Sequence, residues 1–201
     1  MESRLRPGFA YDGCMDAPQP NIIFIHGNNS GNEPGGAAHD YWFPYAAREC
    51  TKLGLPVTAK NFPDPMLARQ DIWLPFLMQE CGANAQSILI GHSSGAIAAM
   101  RCAEHHSILG SVLVGAYHTH LGDENERLSG YFDAPWDWQS IRANQRWIIQ
   151  FASVDDPYFP IAEPRFVSEK LGTEYYEYTD KGHFFQDTFP ELIDAVMRKL
   201  A

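Results

Sequence analysis

The chain has 201 residues, of which 45% are hydrophobic, enough for one well-cored domain but few for two. Its formal net charge is -10, and it contains no basic run. The sequence therefore lacks the phosphate-neutralising face of a nucleic-acid-binding protein, and the same charge disfavours anionic membranes. Because no segment resembles a signal peptide or reaches the roughly 20 apolar residues of a membrane span, we expect a cytoplasmic protein.

Short apolar runs alternate with longer helical patterns, which is typical of a parallel α/β sheet. The predicted strands are 21–25, 57–61, 87–90, 111–114, 147–152 and 174–178, and the predicted helices are 41–53, 72–81, 94–104, 163–171 and 190–200. Four of the strands are almost continuously apolar, as strands covered by helices on both faces should be. We therefore expect an N-terminal arm over residues 1–20 and one domain over residues 21–201, with a mostly parallel six-stranded sheet.

The segment GHSSG at residues 91–95 joins a predicted strand to a predicted helix and has the G-x-S-x-G pattern of a nucleophile elbow. Such a turn strains the central residue and brings the residues two positions before and after it together, which glycine permits. Ser93 is thus predicted to be an exposed nucleophile, and Ser94 to offer its backbone N–H to a developing negative charge. The same letters also occur in glycine-rich turns of unrelated sheets, so the acid and the base are decisive.

A candidate base and a candidate acid follow the serine in the order that this type of active site requires. His183 comes after the strand at 174–178, where it could take the proton of the nucleophile, and an aspartate pair comes after the strand at 147–152. A carboxylate at that place would hold the imidazole tautomer.

Three aspartates compete for the role of the acid. We favour Asp156, because its D-x-x-x-P spacing to Pro160 resembles the acid-bearing turn of many α/β-hydrolases. Asp155 is interpreted as a solvated or turn-capping carboxylate, and Asp180 as a turn former.

The remaining histidines and the cysteines are interpreted as structural. His92 is expected to point away from the crevice, and the others end a helix or lie in a loop: His105, His106 and His39. His118 and His120 lie near Asp123, but no third ligand has a convincing spacing. The cysteines lack metal-binding spacing and are expected to be reduced, packed thiols: Cys14, Cys50, Cys81 and Cys102. We expect neither a metal nor a cofactor.

A second oxyanion donor is expected after the first strand, since one N–H stabilises a tetrahedral intermediate poorly. That strand ends in His-Gly, and the next backbone N–H belongs to Asn28, with Asn29 as the second choice. The alternative is an ordinary Asn/Gly turn.

Several segments resemble the retinoblastoma-binding protein 9 family of small serine hydrolases: AKNFPDP, IWLPF, GHSSGAIAAMR, LGDENER, SGYF, QFASVDDP and GHF. The resemblance extends from about residue 22 to the C-terminus, and it implies the triad Ser93, Asp156 and His183. It also implies a compact α/β-hydrolase without leading antiparallel strands or a large lid. The family's best-known member binds the retinoblastoma protein through an L-x-C-x-E motif, which this chain lacks, so that partner is not carried over. An insertion at 29–43 next to the oxyanion turn sets this chain apart.

The substrate is predicted from the segment 115–138, which follows one strand and precedes another and should overhang the crevice. Tyr117, Trp136 and Trp138 are predicted to line an apolar pocket together with other aromatic residues, although these side chains could instead cover the edge of the sheet. Within this segment, LGDENER is interpreted as a capped helix start rather than an acidic specificity surface.

The predicted function is hydrolysis of a small molecule or short aminoacyl substrate through an acyl-enzyme intermediate. The resemblance implies an ester, amide or aminoacyl compound, and the sequence does not choose among them. The alternative is a catalytically silent protein-binding module on a hydrolase scaffold.

Overall fold

The computed structural model describes residues 19–28 and 37–201, so most of the predicted arm and part of the 29–43 insertion lie outside the described residues. The strands are β1 (Asn21–Ile25), β2 (Val57–Ala59), β3 (Ser87–His92), β4 (Gly110–Val114), β5 (Ile148–Ser153) and β6 (Glu174–Tyr178). The α-helices are α1 (Phe43–Lys52), α2 (Gln70–Gln79), α3 (Ser94–His105), α4 (Glu124–Leu128), α5 (Trp138–Ala143), α6 (Ala162–Leu171) and α7 (Pro190–Leu200). A short 3-10 helix spans Ala37–His39.

The six strands form one parallel sheet in the order β2-β1-β3-β4-β5-β6, which confirms the predicted fold class. From β1 the chain first goes outward to β2 and then returns to the other side at β3. The strand order therefore reverses between β1 and β3, where Ile25 lies opposite Gly91. In open parallel sheets, ligands bind outside the carboxyl ends of the strands at such a reversal.

The central strands are buried on both faces because helices cover each side of the sheet. Alternate residues enter opposite cores: Ile23 and Leu89 pack with α2, α3, α5 and α6, whereas Phe24 and Ile90 pack with α1 and α7. This two-sided burial explains why these strands contain almost no polar positions. The carboxyl ends of these strands are therefore held in place by packing on both faces of the sheet.

Two helices lie in the segment 115–146: α4, at the helix start that LGDENER predicted, and α5, which was not predicted. Each begins at an aspartate whose side chain accepts a backbone N–H three residues on: Asp123 from Glu126 in α4, and Asp137 from Ser140 in α5. The capped helix start within LGDENER is confirmed, whereas its Glu126 is buried and not solvated. The two helices have five and six residues, too few for a helical hydrophobic period to be visible.

In the part of the chain that the structure describes, every helix is too short or too polar to span a lipid bilayer.

Candidate active site

The turn between β3 and α3 has the strained geometry expected of a nucleophile elbow. Ser93 has φ 55° and ψ -123°, a conformation that a residue with a side chain rarely adopts. Its own N–H donates to the carbonyl of Val114 over 2.9 Å, which anchors the turn to β4. The Ser94 N–H belongs to the first turn of α3 and has no acceptor within the helix.

Both glycines of the pentapeptide stand where a side chain would collide with the backbone. A Cβ added to Gly91 would lie 2.3 Å from the carbonyl oxygen of Gly95. A Cβ added to Gly95 would lie 2.1 Å from the carbonyl oxygen of Ile25. The close approach of the positions two before and two after Ser93 is thus present, and it also locks the elbow against the end of β1.

We expect Gly95→Ala to lower the free energy of unfolding by about 3 kcal/mol, because the clash is with the backbone of β1 and no side chain can move aside. Urea denaturation measures the change. Gly54→Ala is the matched control, since Gly54 has φ +80° and open space around its Cβ, so only backbone strain of about 1 kcal/mol applies. Equal losses in the two variants would contradict the close approach.

His183 and Asp156 meet although they follow different strands, β6 and β5. His183 Nδ1 lies 2.7 Å from Asp156 Oδ2, and the aspartate side chain is 1% exposed. Because a carboxylate can only accept, Nδ1 carries the proton and Nε2 is left as a proton acceptor. The pair therefore has the polarity that a general base needs.

Asp155 has a different place in the same turn. Its Oδ1 accepts from the Ser153 hydroxyl and from the Gly182 N–H, the latter over 2.9 Å. These hydrogen bonds, that from Ser153 foremost, lower the pKa of Asp155. Asp155 is thus a turn-capping carboxylate that ties β5 to the loop carrying His183, whereas Asp180 is exposed.

The expectation that His92 points away from the crevice is wrong, because His92 lines the same cavity as Ser93 and His183. β3 continues through His92, so its side chain lies on the same face as Ile90, beneath the loop of His183. His92 Nε2 donates to the carbonyl oxygen of His183 over 2.8 Å, and the two rings lie 4.8 Å apart. Burial, helped by the nearby His183, lowers the pKa of His92 to about 3 and keeps its ring neutral.

The turn after β1 is held so that the Asn28 N–H faces the elbow. His26 Nε2 accepts from the Phe62 N–H, so its Nδ1 carries the proton and donates to the Gly27 carbonyl over 2.8 Å. In a planar trans peptide the N–H points opposite to the carbonyl. The Asn28 N–H accordingly points away from His26 and lies 3.4 Å from the hydroxyl oxygen of Ser94. Asn29, the second choice, lies outside the described residues.

These groups surround a cavity of about 540 Å³. Its wall contains three predicted polar residues, Asn28, Ser93 and His183; a half-exposed aromatic rim, Tyr41, Tyr158 and Phe185; and two acidic residues, Asp123 and Glu126. Tyr41 stacks on Phe185 with ring centroids 4.4 Å apart, and the Tyr158 ring lies 4.6 Å from that of His183. The rim was not predicted, although Tyr158 and Phe185 each stand two residues after a predicted triad residue.

Of the three predicted substrate-binding aromatics, the structure brings only Tyr117 to this cavity. The indole N–H of Trp136 donates to the His118 carbonyl, and the Arg101 guanidinium lies 3.7 Å from the Trp136 ring centroid. Trp138 stacks on Trp136 and lines a separate open groove. Both tryptophans pack against the core that holds α5 and α6, so they fit the alternative of covering the sheet.

The H-x-H pair is engaged within the protein. His118 Nδ1 lies 2.7 Å from Glu163 Oε2, and His120 Nδ1 accepts from the Gly122 N–H. Over residues 19–28 and 37–201, no three or more His, Cys, Asp and Glu side chains are grouped as metal ligands would be.

Comparison with known proteins gives a consistent result. A family model described as serine hydrolase matches residues 24–197. The chain is 47% identical over 171 residues to Serine hydrolase RBBP9 of Rattus norvegicus, covering 85% of this chain and 92% of that one.

Solved structures share the fold. The ydeN gene product from B. subtilis superposes with a TM-score of 0.79 at 22% identity, over 90% of this chain and 98% of that chain. Est1E from Butyrivibrio proteoclasticus superposes with a TM-score of 0.66 at 12% identity, over 90% of this chain and 88% of that chain.

Proposed function

This chain belongs to the serine hydrolase family and is a hydrolase with an α/β-hydrolase fold, and from that premise we propose that Ser93, His183 and Asp156 form its catalytic triad. The observation that carries the proposal is the 2.7 Å contact between His183 Nδ1 and Asp156, in a cavity whose wall also contains the strained Ser93. Three residue types with complementary roles converge there from the ends of three strands.

In the proposed reaction, Ser93 Oγ attacks the substrate carbonyl carbon while His183 Nε2 takes the proton of the Ser93 hydroxyl. The N–H groups of Asn28 and Ser94 hold the oxyanion of the tetrahedral intermediate. His183 then returns the proton to the leaving group as the carbon–heteroatom bond breaks, which leaves an acyl-enzyme. Water, deprotonated by the same imidazole, attacks the acyl carbon and releases the acid, and the proton returns to Ser93.

The substrate we propose is a small ester, amide or aminoacyl compound, with the aminoacyl class favoured by the cavity wall. The rim formed by Tyr41, Tyr158 and Phe185 offers aromatic surface to an apolar side chain. Asp123 and Glu126 make the described wall acidic, and none of its residues is a lysine or an arginine. LGDENER therefore supplies both the helix start and the acidic surface that were treated as alternatives. A negative cleft of this kind attracts a protonated amine.

We expect Asp123→Asn to lower kcat/KM about 3-fold for a phenylalanine ester with a free amine, because an exposed charge contributes little more than this. The N-acetylated ester, which has no charge, should be unaffected. Asparagine caps a helix as well as aspartate does, so α4 should persist. Steady-state kinetics on the two esters measures the difference.

Glu124→Gln removes a neighbouring exposed charge that pairs with Arg127 and is the matched control. Equal losses of kcat/KM on both esters in Asp123→Asn, or a wild-type preference for the acetylated ester, would contradict the aminoacyl class.

We also propose that the protein works in the reducing cytoplasm. The three described cysteines are unpaired, and burial raises their pKa values to about 12, 11 and 12 for Cys50, Cys81 and Cys102. Packed, protonated thiols of this kind are typical of a reducing compartment. Cys102 and Glu104, in the segment closest to an L-x-C-x-E motif, are buried in α3, which further separates this chain from retinoblastoma binding.

A further inference from the structure

Glu126 on α4 is a buried carboxylate beside the oxyanion turn. Only 8% of the residue is exposed, and both carboxylate oxygens accept a hydrogen bond. Oε1 accepts from the side-chain amide of Asn28 over 2.7 Å, and Oε2 accepts from the Tyr117 hydroxyl over 2.7 Å. Among the described residues, no ion pair involves Glu126. The carboxylate is therefore held by neutral donors that reach the active site.

Two further contacts close these groups into a ring. The Tyr117 oxygen lies 3.3 Å from the Ser94 oxygen, and the Asn28 backbone N–H lies 3.4 Å from that same Ser94 oxygen. Burial and the charge of Glu126 raise the pKa of Tyr117 well above its usual value, so its hydroxyl keeps its proton. The Tyr117 hydroxyl uses this proton to donate a hydrogen bond to Glu126. The Ser94 hydroxyl therefore donates to the Tyr117 oxygen and accepts from the Asn28 N–H.

An ionised carboxylate fixes the direction of every hydrogen bond in this ring, because it can only accept. Burial raises the pKa of Glu126, while its hydrogen bonds from Tyr117 and Asn28 act in the opposite sense. Burying such a group is unfavourable unless its hydrogen bonds compensate. α4 has only five residues, and its other charged side chains, Glu124 and Arg127, are exposed. Glu126 is thus the buried residue of this short helix, and its side chain contacts that of Asn28.

We propose that Glu126 is a positioning residue that holds the Asn28 main-chain N–H at the oxyanion site. The inference rests on the proposed function. His26 fixes the Gly27 carbonyl on one side of this N–H, and Glu126 fixes the Asn28 side chain on the other. With both anchors in place the peptide cannot rotate away from the developing charge, so the donor needs no reorganisation during the reaction.

The test measures kcat and KM for Glu126→Ala, Glu126→Gln and Asn28→Ala on the free-amine phenylalanine ester and its N-acetylated counterpart. Asn28→Ala keeps the main-chain N–H and removes the side-chain amide that donates to Glu126. For Glu126→Ala we expect kcat to fall about 10- to 100-fold on both esters with KM within about 3-fold, because the oxyanion forms only in the transition state. Glu126→Gln keeps one acceptor and should recover most of that loss.

A double-mutant cycle and an analogue give independent readouts. If the two residues act through one contact, the Glu126→Ala and Asn28→Ala double variant should lose no more kcat than the worse single variant. A boronic acid that forms a tetrahedral anion on Ser93 should lose affinity by the same factor as kcat. Glu124→Gln, on the same helix but exposed, should match the wild type.

Other outcomes contradict the inference. A raised KM with unchanged kcat on the free-amine ester alone would make Glu126 a substrate-binding group. If the fold-losses of kcat in the two single variants multiply in the double variant, the two residues do not act through one contact. If Glu126→Ala fails to fold, Asn28→Ala carries the same test, because it removes the other partner of the contact. If the wild type turns over and kcat is unchanged in Glu126→Ala or, where that variant does not fold, in Asn28→Ala, this inference alone is overturned. A wild type without Ser93-dependent turnover overturns the proposed function as well.

Discussion

Ser93→Ala should abolish labelling by a fluorophosphonate probe and lower kcat about 10⁴- to 10⁶-fold. The probe needs an oxygen nucleophile whose proton is removed by a neighbouring base, and alanine supplies none. Serine and alanine carry the same strain at φ 55°, so the elbow should keep its shape. Gel fluorescence after probe treatment and steady-state ester hydrolysis measure the two losses, and thermal unfolding verifies that the variant is folded.

Ser94→Ala is the control built into the pentapeptide, because alanine keeps the backbone N–H that is proposed to hold the oxyanion. Its loss should be far smaller than that of Ser93→Ala. A modest reduction, about 10-fold at most, is expected because the Ser94 hydroxyl lies between the Asn28 N–H and Tyr117.

Failure of the folded wild type to label would favour the silent binding module instead. If the probe still labels Ser93→Ala but does not label Ser94→Ala, the nucleophile is Ser94 and not Ser93.

The features that local sequence determines were predicted well. The strands β1 and β6 begin and end at the predicted residues. For β1 the reason is burial, since a buried parallel strand needs a continuous apolar run. β6 is a half-buried edge strand, and its three tyrosines favour a strand. The elbow followed from a steric requirement between Gly91 and Gly95, four residues apart. The parallel six-stranded sheet followed in turn from the alternation of strands and helices, and the comparisons confirm the fold and the family.

Contacts between distant parts of the chain were not predictable from one sequence. Glu126 meets Asn28 across 98 positions, and His92 meets His183 across 91. Each partner is a common surface residue type, so nothing in its local pattern indicates burial. For Glu126 the one available signal was its place inside LGDENER, a segment of the resemblance.

The aromatic side chains illustrate the same limit. Trp136 and Tyr158 both lie in loops after a strand, and composition cannot tell which of them faces the crevice. In the structure Trp136 packs against the core, where its ring contacts the Arg101 guanidinium and its indole N–H donates to the His118 carbonyl. Tyr158 remains exposed beside His183, since its turn is fixed by the neighbouring Asp156, which accepts the Tyr158 N–H.

Asp156→Asn should lower kcat about 10⁴-fold while leaving the protein folded. The native carboxylate accepts the Nδ1 proton of His183 over 2.7 Å and leaves Nε2 free to take the serine proton. An asparagine amide can donate to Nδ1 instead, which favours the tautomer with its proton on Nε2. That imidazole faces Ser93 with a donor and cannot act as the base. Ester hydrolysis at saturating substrate measures kcat, and thermal unfolding measures stability.

Asp155→Asn is the matched control, since the two aspartates are adjacent and the substitution is the same. The asparagine carbonyl oxygen can still accept from Ser153 and from the Gly182 N–H, so the loop of His183 keeps its anchor. We expect kcat within about 3-fold of the wild type, because a positioning contact that is retained costs little. If Asp155→Asn is the inactive variant and Asp156→Asn is active, the roles of the two carboxylates are reversed. Equal and severe losses in both would mean that negative charge at this turn, rather than the tautomer of His183, governs the base.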